Sequence, residues 1–202
     1  MKIAHVETLL ARGGFSRSES WQAIRRQIHE AIRSMDWPPG SGRFTIYPES
    51  GKKRGQGNGV VPIKRGLMER LQVAGWILEE RLAIAARKQP GKMDAVRYAD
   101  EGVVALEWET GNISSSHRAL NKMALALMVG KLNAGVLVVP SRAFYRFLTD
   151  RVGNWEELEP YLPLWRAVPC EEGVLEIIVV EHDATSADVE RIPKGTDGRA
   201  LV

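Results

Sequence analysis

A chain of 202 residues has the length of one domain, and at that size about 70% of the surface exposed by the unfolded chain can be buried without covalent staples. A single cysteine, Cys170, excludes an internal disulfide framework and a multi-thiolate zinc site, and no apolar run reaches the ~18 residues of a membrane span. The net charge of +3 hides a gradient: residues 1–66 carry 12 Lys/Arg against 5 Asp/Glu, 67–150 carry 11 against 9, and 151–202 carry 5 against 11. That asymmetry suits a basic face turned to a polyanion such as nucleic acid, although ordinary solvated charge accounts for it equally well.

The opening MKIAHVETLLARGG lacks the long apolar run of a signal peptide, which points to a soluble, cytoplasmic protein. From Ser18 to Met35, apolar residues at Trp21, Ile24, Ile28, Ala31 and Ile32 keep helical spacing. Ser18 or Ser20 can cap this helix and Trp37-Pro38-Pro39-Gly40 stops it. The glycine-rich stretch 40–61 reads as a mobile loop whose tip, Lys52-Lys53-Arg54, suits a phosphate backbone. Its Gly55-Gln-Gly-Asn-Gly is not followed by the lysine and hydroxyl of a nucleotide P-loop.

A second helix is expected over Ile63–Ala74, with Leu67, Leu71 and Ala74 on one side and Glu69 elsewhere on its surface; Gly75 ends it. A strand-like segment, Leu82–Ala86, and a turn at Gln89-Pro90-Gly91 follow. Met93–Tyr98, the turn Asp100-Glu101-Gly102 and Val103–Thr110 then read as a β-hairpin. The hydroxyl-rich Ser114-Ser115-Ser116-His117-Arg118 opens a helix with Leu120, Met123, Ala124, Leu127 and Met128 on one stripe. Ala134–Pro140 is continuously apolar, as a central strand buried on both faces requires. Two helices, Ala143–Arg151 and Trp155–Leu162, a strand, Val174–Glu181, and a poorly packed tail from Asp183 complete the chain. The order implies an α/β (α+β) fold in one domain, 1–202, with a mixed sheet flanked by helices.

The chemistry concentrates in Leu106-Glu107-Trp108-Glu109. Alternation along a strand points Glu107 and Glu109 the same way, with α-carbons about 6.6 Å apart, and Trp108 the other way. Antiparallel pairing brings Asp94, on the opposite arm, beside Glu107. Two half-buried carboxylates on one face require a cation or water between them, and three hard oxygen donors at a sheet end suit Mg²⁺. In isolation an E-x-E pair marks a solvated face far more often than a metal site. Here the strand reads Val-Val-Ala-Leu before the pair, and a wholly apolar strand follows it, so its position is central.

Asp94, Glu107-Trp-Glu109, Thr110-Gly-Asn-Ile-Ser-Ser-Ser-His-Arg and the strand ending Val139-Pro140 together resemble the PD-(D/E)xK nuclease superfamily. Within it they resemble type II restriction endonucleases of the BglII, BstYI and BamHI kind. The early helix with Ser20-Trp21-Gln-Ala-Ile and the Ile63–Trp76 segment are similar to the opening of those enzymes, and the likeness covers residues 1–165. It implies a restriction-endonuclease-like core and a homodimer that uses Mg²⁺, with Mn²⁺ as a substitute. Its implied substrate is double-stranded DNA, cut at a short palindromic site, with GATC at the centre as a guess drawn from the relatives. A partner DNA methyltransferase is implied genetically. Lysine usually holds the third catalytic position, whereas this chain has Glu109, as the BamHI-like members do. Asp94 and Glu107 are then metal ligands, and Glu109 is either a further ligand or the group that orients or deprotonates the attacking water. Glu69 resembles an auxiliary acid of some relatives, or is simply an exposed helix residue.

For recognition, the helix start Ser114, Ser115, Ser116, His117 and Arg118 offers N–H groups to phosphates, and the turn at Asn112 and the loop at Arg142 correspond to base-contacting segments of the relatives. Asn112 and Arg142 could equally serve as caps, and His117 as a surface histidine. Lys52, Lys53 and Arg54 suit phosphates. The other readings are a repair or phage-defence nuclease of the same fold with little sequence preference, and a catalytically silent DNA-binding relative.

Overall fold

The computed structural model describes residues 1–53, 55–84, 91–149 and 152–194. The described residues form eight strands: β1 (Lys2–Arg12), β2 (Thr45–Ile46), β3 (Ile77–Glu80), β4 (Met93–Ala99), β5 (Gly102–Trp108), β6 (Ala134–Pro140), β7 (Gly173–Glu181) and β8 (Ala184–Thr185). The helices are α1 (Glu19–Arg33), α2 (Val60–Val73), α3 (Ile113–Met128), α4 (Arg142–Tyr145), α5 (Trp155–Leu158) and α6 (Leu162–Arg166). Six strands form one mixed sheet in the order β1-β7-β6-β5-β4-β3. β5, β6 and β7 run parallel at its centre, with antiparallel pairs at both sides.

Parallel strands must be covered on both faces, and the buried runs of β6 and β7 meet that requirement. One core holds α1 and α2 side chains such as Ile28, Ile32, Leu67 and Leu71 against Leu106, Trp108, Val136 and Val138. The other holds Leu120, Met123 and Leu127 of α3, with Trp165, against Ala105, Leu137 and Val139. α1 and α3 start where the sequence offers a cap: the Ser18 side chain accepts from Trp21 N–H, and Asn112 from Ser114 N–H.

The hairpin forms as expected, in the register Ala95–Leu106 to Ala99–Gly102. Other elements differ from the reading of the sequence. Leu82 and Ile84 are not in a strand; they bury their side chains in the second core, and the adjacent strand is β3, which pairs with β4. Residues 85 and 86 of the expected strand lie outside the described residues. Of the expected helix 143–151 the described part keeps only the single turn α4, residues 150 and 151 lying outside the described residues, and 155–162 divides into α5, a 3-10 turn (Glu159–Tyr161) and α6, whose first turn contains Pro163.

The described parts of the stretch 40–61 and of the tail from Asp183, both read as loose, instead hold each other; residues 54 and 195–202 lie outside the described residues. β2 pairs in parallel with β8, Phe44 and Ile46 are buried, and Phe44 N–H donates to the Asp183 carboxylate at 2.7 Å. Ile192 is buried, Trp37 Nε1–H donates to Glu190 O at 2.8 Å, and Arg191 pairs with Glu49 at 2.8 Å. Asn58, wholly buried, is the hub: its Nδ2 donates to Tyr47 O and Phe147 O, both at 2.9 Å, and its Oδ1 accepts from Ile192 N–H at 3.1 Å. Asn58→Ala leaves these backbone groups short of partners in a dry site. The expected result is a loss of roughly 1–3 kcal/mol, read as a lower urea midpoint at unchanged slope.

Candidate active site

β5 ends where the parallel and antiparallel halves of the sheet meet. Its alternation sends Val104, Leu106 and Trp108 into the α1/α2 core and Ala105 into the α3 core, so Glu107 falls on the α3 side. Asp94 stands one residue beyond the Ala95–Leu106 pair, opposite Glu107. Both are buried, at 9% and 3% exposure. Glu109 follows the strand's last residue and is half-buried.

Asp94 Oδ2 accepts the Trp108 backbone N–H at 2.7 Å, and its Oδ1 accepts from Lys64 Nζ at 2.5 Å. The Lys122 ammonium lies against Glu107 Oε1 as an ion pair and also donates to Lys92 O at 2.9 Å, its three N–H groups being enough for both. Arg118 stands 3.9 Å from Glu109.

Burial, and then the Asp94 charge, push the Glu107 carboxyl up to about 7 despite the opposing pull of Lys122. The same two causes in the same order raise Glu109, against Arg118, Lys64 and Lys122. The three carboxylates thus feel one another's charge. Among the described residues no group of three His, Cys, Asp or Glu side chains is placed to hold an ion together. Glu109 has left the strand, and lysines stand against the other two. Two adjacent buried carboxylates still fit a hard divalent cation, since Mg²⁺ takes one or two carboxylates and completes its shell with water and substrate phosphate.

The remaining expectations divide. Glu69 is exposed on α2, five residues and therefore about 140° around the helix from Lys64, which is the residue of α2 that reaches the acids. Ser116, expected at a DNA surface, is wholly buried, on the stripe it shares with Leu120 and Met123. His117 packs its ring on Tyr161 and Trp165 at 4.6 and 5.3 Å between centroids, which ties α3 to the 159–166 segment. Asn112 and Ser114 are exposed, Ser115 is half-buried, and Arg118 is open to solvent at the α3 start. Arg142 is exposed and lies over the Tyr145 ring at 5.1 Å. Lys52 and Lys53 are exposed, while Arg54 lies outside the described residues.

Lys64 and Lys122 escaped the reading of the sequence. A signal for Lys122 was available: Ser114, Arg118 and Lys122 repeat at i, i+4 and i+8, a polar stripe on the helix that follows the acidic strand. With Ile84, Gly91, His117, Asn121 and Leu125 they line a cleft of about 610 Å³.

The family model for "Restriction endonuclease BamHI" matches residues 1–199. The chain is 45% identical over 201 residues, the full length of both proteins, to the type II restriction enzyme OkrAI of Oceanobacter kriegii. It is 35% identical over 190 residues to the type II restriction enzyme BamHI of Bacillus amyloliquefaciens, which covers 91% of this chain and 85% of that one. Among solved structures, restriction endonuclease BglII complexed with a DNA 16-mer superposes with a TM-score of 0.57 at 9% identity, over 95% of this chain and 88% of that chain. That last likeness establishes the fold: a mixed sheet between helices, as in BglII.

Proposed function

Because the chain belongs to the BamHI family of type II restriction endonucleases, we propose that it hydrolyses both strands of double-stranded DNA at a short palindromic site, using Mg²⁺ held by Asp94 and Glu107. The observation that carries this is the buried pair itself: two carboxylates side by side at a sheet end, with a lysine ammonium against each. So placed, they need positive charge beside them, and a divalent cation supplies it to both at once.

When bound, Mg²⁺, or Mn²⁺ in its place, supplies Lewis-acid stabilisation of the negative charge that builds on the phosphate. The residues of the chain do the rest. Glu109, half-buried and raised above the ordinary carboxylate range, suits the role of base: it orients water and takes its proton as the new O–P bond forms and the bond to the 3′ oxygen breaks. Asp94, its Oδ2 fixed by the Trp108 N–H, has Oδ1, which Lys64 holds in the metal-free protein, to offer the cation. Asn112, Ser114 and Arg118, at the open start of α3, and Arg142 face the duplex, while Lys52 and Lys53 take phosphates without reading sequence.

A palindrome is matched by a two-fold dimer. The far half of α3 exposes Leu125, Met128 and Val129, and the 159–166 segment, whose α6 packs on α3, exposes Tyr161 and Leu164. This apolar surface is the proposed dimer interface. The whole chain acts as one endonuclease domain, in the cytoplasm, with host sites protected by a methyltransferase of matching specificity. Among the described residues no helix is long and apolar enough to cross a membrane.

The test is a plasmid carrying many sequences, including GATC-centred sites, incubated with the protein and Mg²⁺ or Mn²⁺, with sedimentation run in parallel. The expected result is discrete fragments and the mass of a dimer. Salt-sensitive DNA binding without cutting under either metal instead identifies the silent relative, and neither binding nor cutting sinks the reading.

A further inference from the structure

Two lysines have no part in the hydrolysis as proposed, yet both stand in contact with its acids. Lys64, on α2, reaches Asp94 from one helical layer; Lys122, on α3, reaches Glu107 from the other. We propose that they are resident counter-ions, each holding one carboxylate in the metal-free protein and giving way when a divalent cation binds, so that they set how tightly the site takes its metal. This rests on the reading of Asp94 and Glu107 as cation ligands.

Burying two neighbouring carboxylates needs positive charge close by, and the two ammoniums, with Arg118 beside Glu109, bring the three acids near neutrality. The choice of residue matters. Lysine is a compact point charge on a flexible stem that can leave by bond rotation, whereas an arginine fork would clamp both carboxylate oxygens. The way out exists as well: the side chains of Lys64 and Lys122 keep 24% and 19% of their surface open, and Lys122 lines the 610 Å³ cleft. Finally, the Lys122 ammonium shares its three donors between Glu107 Oε1 and Lys92 O, the latter at 2.9 Å, so it keeps an acceptor to hold when a cation takes its place on the carboxylate.

The experiment is a calorimetric titration of Ca²⁺ into the full chain without DNA, for wild type, Lys64→Met, Lys122→Met, and the charge-keeping Lys64→Arg and Lys122→Arg. Removing a cation about 4 Å from the site should tighten Ca²⁺ binding at least about tenfold in each Met variant, with the Arg variants within about threefold of wild type. The Met variants should also show a lower urea midpoint without metal, recovered on adding Ca²⁺. Lys64→Gln and Lys122→Gln give the same reading should the Met forms not fold. Binding seen in the Met variants but too weak to detect in wild type supports the proposal equally. Wild-type binding that is unchanged or weakened by both Met substitutions overturns it and leaves the nuclease reading standing. No Ca²⁺ binding by any form overturns it together with the cation site.

Discussion

Glu107→Gln abolishes cleavage while leaving DNA affinity intact. The substitution keeps the shape of the side chain and removes its charge, so the α3 side of β5 stays packed while the cation loses one of its two proposed buried anionic ligands. Lewis-acid stabilisation of a phosphoryl transition state is worth several kcal/mol, and each 1.36 kcal/mol is a factor of ten, so the single-turnover rate with Mg²⁺ should fall at least ~10³-fold. DNA binding at fixed salt, measured by fluorescence anisotropy, should change less than about threefold, since Lys52, Lys53, Arg118 and Arg142 are untouched. A variant that still cuts within tenfold of wild type would remove Glu107 from the chemistry.

The same substitution has an opposite effect on stability, and pH separates the two. The Glu107 carboxyl is raised from 4.5 to about 7 in the folded protein. Its folded form therefore holds a proton more tightly than its unfolded form, and ionising it costs folding free energy. Below 4.5 the carboxyl is protonated in both states and carries no penalty. As pH rises from 4.5 through 7 the penalty grows, and above 7 it is complete, at roughly 3 kcal/mol for a shift of this size. In metal-free buffer, Glu107→Gln should be the more stable protein at pH 8, by up to that amount, and the advantage should vanish by pH 4.5. Urea denaturation at closely spaced pH values reads the difference. An advantage that is constant with pH would mean that the carboxyl is not strained by its burial. Divalent cations should narrow the gap by stabilising wild type alone. On the proposed reading, that penalty is stability given up for function.

Much of the site was legible because it depends on local rules. A period of two with a Gly turn defines the β4–β5 hairpin, and once that register is set Asp94 and Glu107 must be neighbours. The apolar run of β6 marks the strand beside them as interior. The lysines were not legible in the same way. Lys64 and Asp94 lie 30 residues apart on a helix and a strand, and their meeting follows from how α2 packs on the sheet. The pairing of β2 with β8 joins segments separated by about two-thirds of the chain, and two-residue strands leave no periodic trace. Leu82 and Ile84 alternate as strand residues do, but alternation reports only burial on one side. Ser116 was misjudged by reading the helix start as a row of hydroxyls. Counting back from Leu120 by four places it on the inward stripe.

The bond from Trp108 N–H to Asp94 Oδ2 carries a stereochemical consequence. Where the β4–β5 ladder runs out, this carboxylate stands in for a main-chain carbonyl, so one of its oxygens is engaged by the skeleton of the neighbouring strand. Only Oδ1, which Lys64 holds here, is left to offer, so on the proposed reading Asp94 is a one-toothed ligand whose torsion is locked by a peptide group. The coordinates of whatever that oxygen binds are therefore inherited from strand register, and a slip of one residue between the two arms would misplace the centre without changing a single side chain.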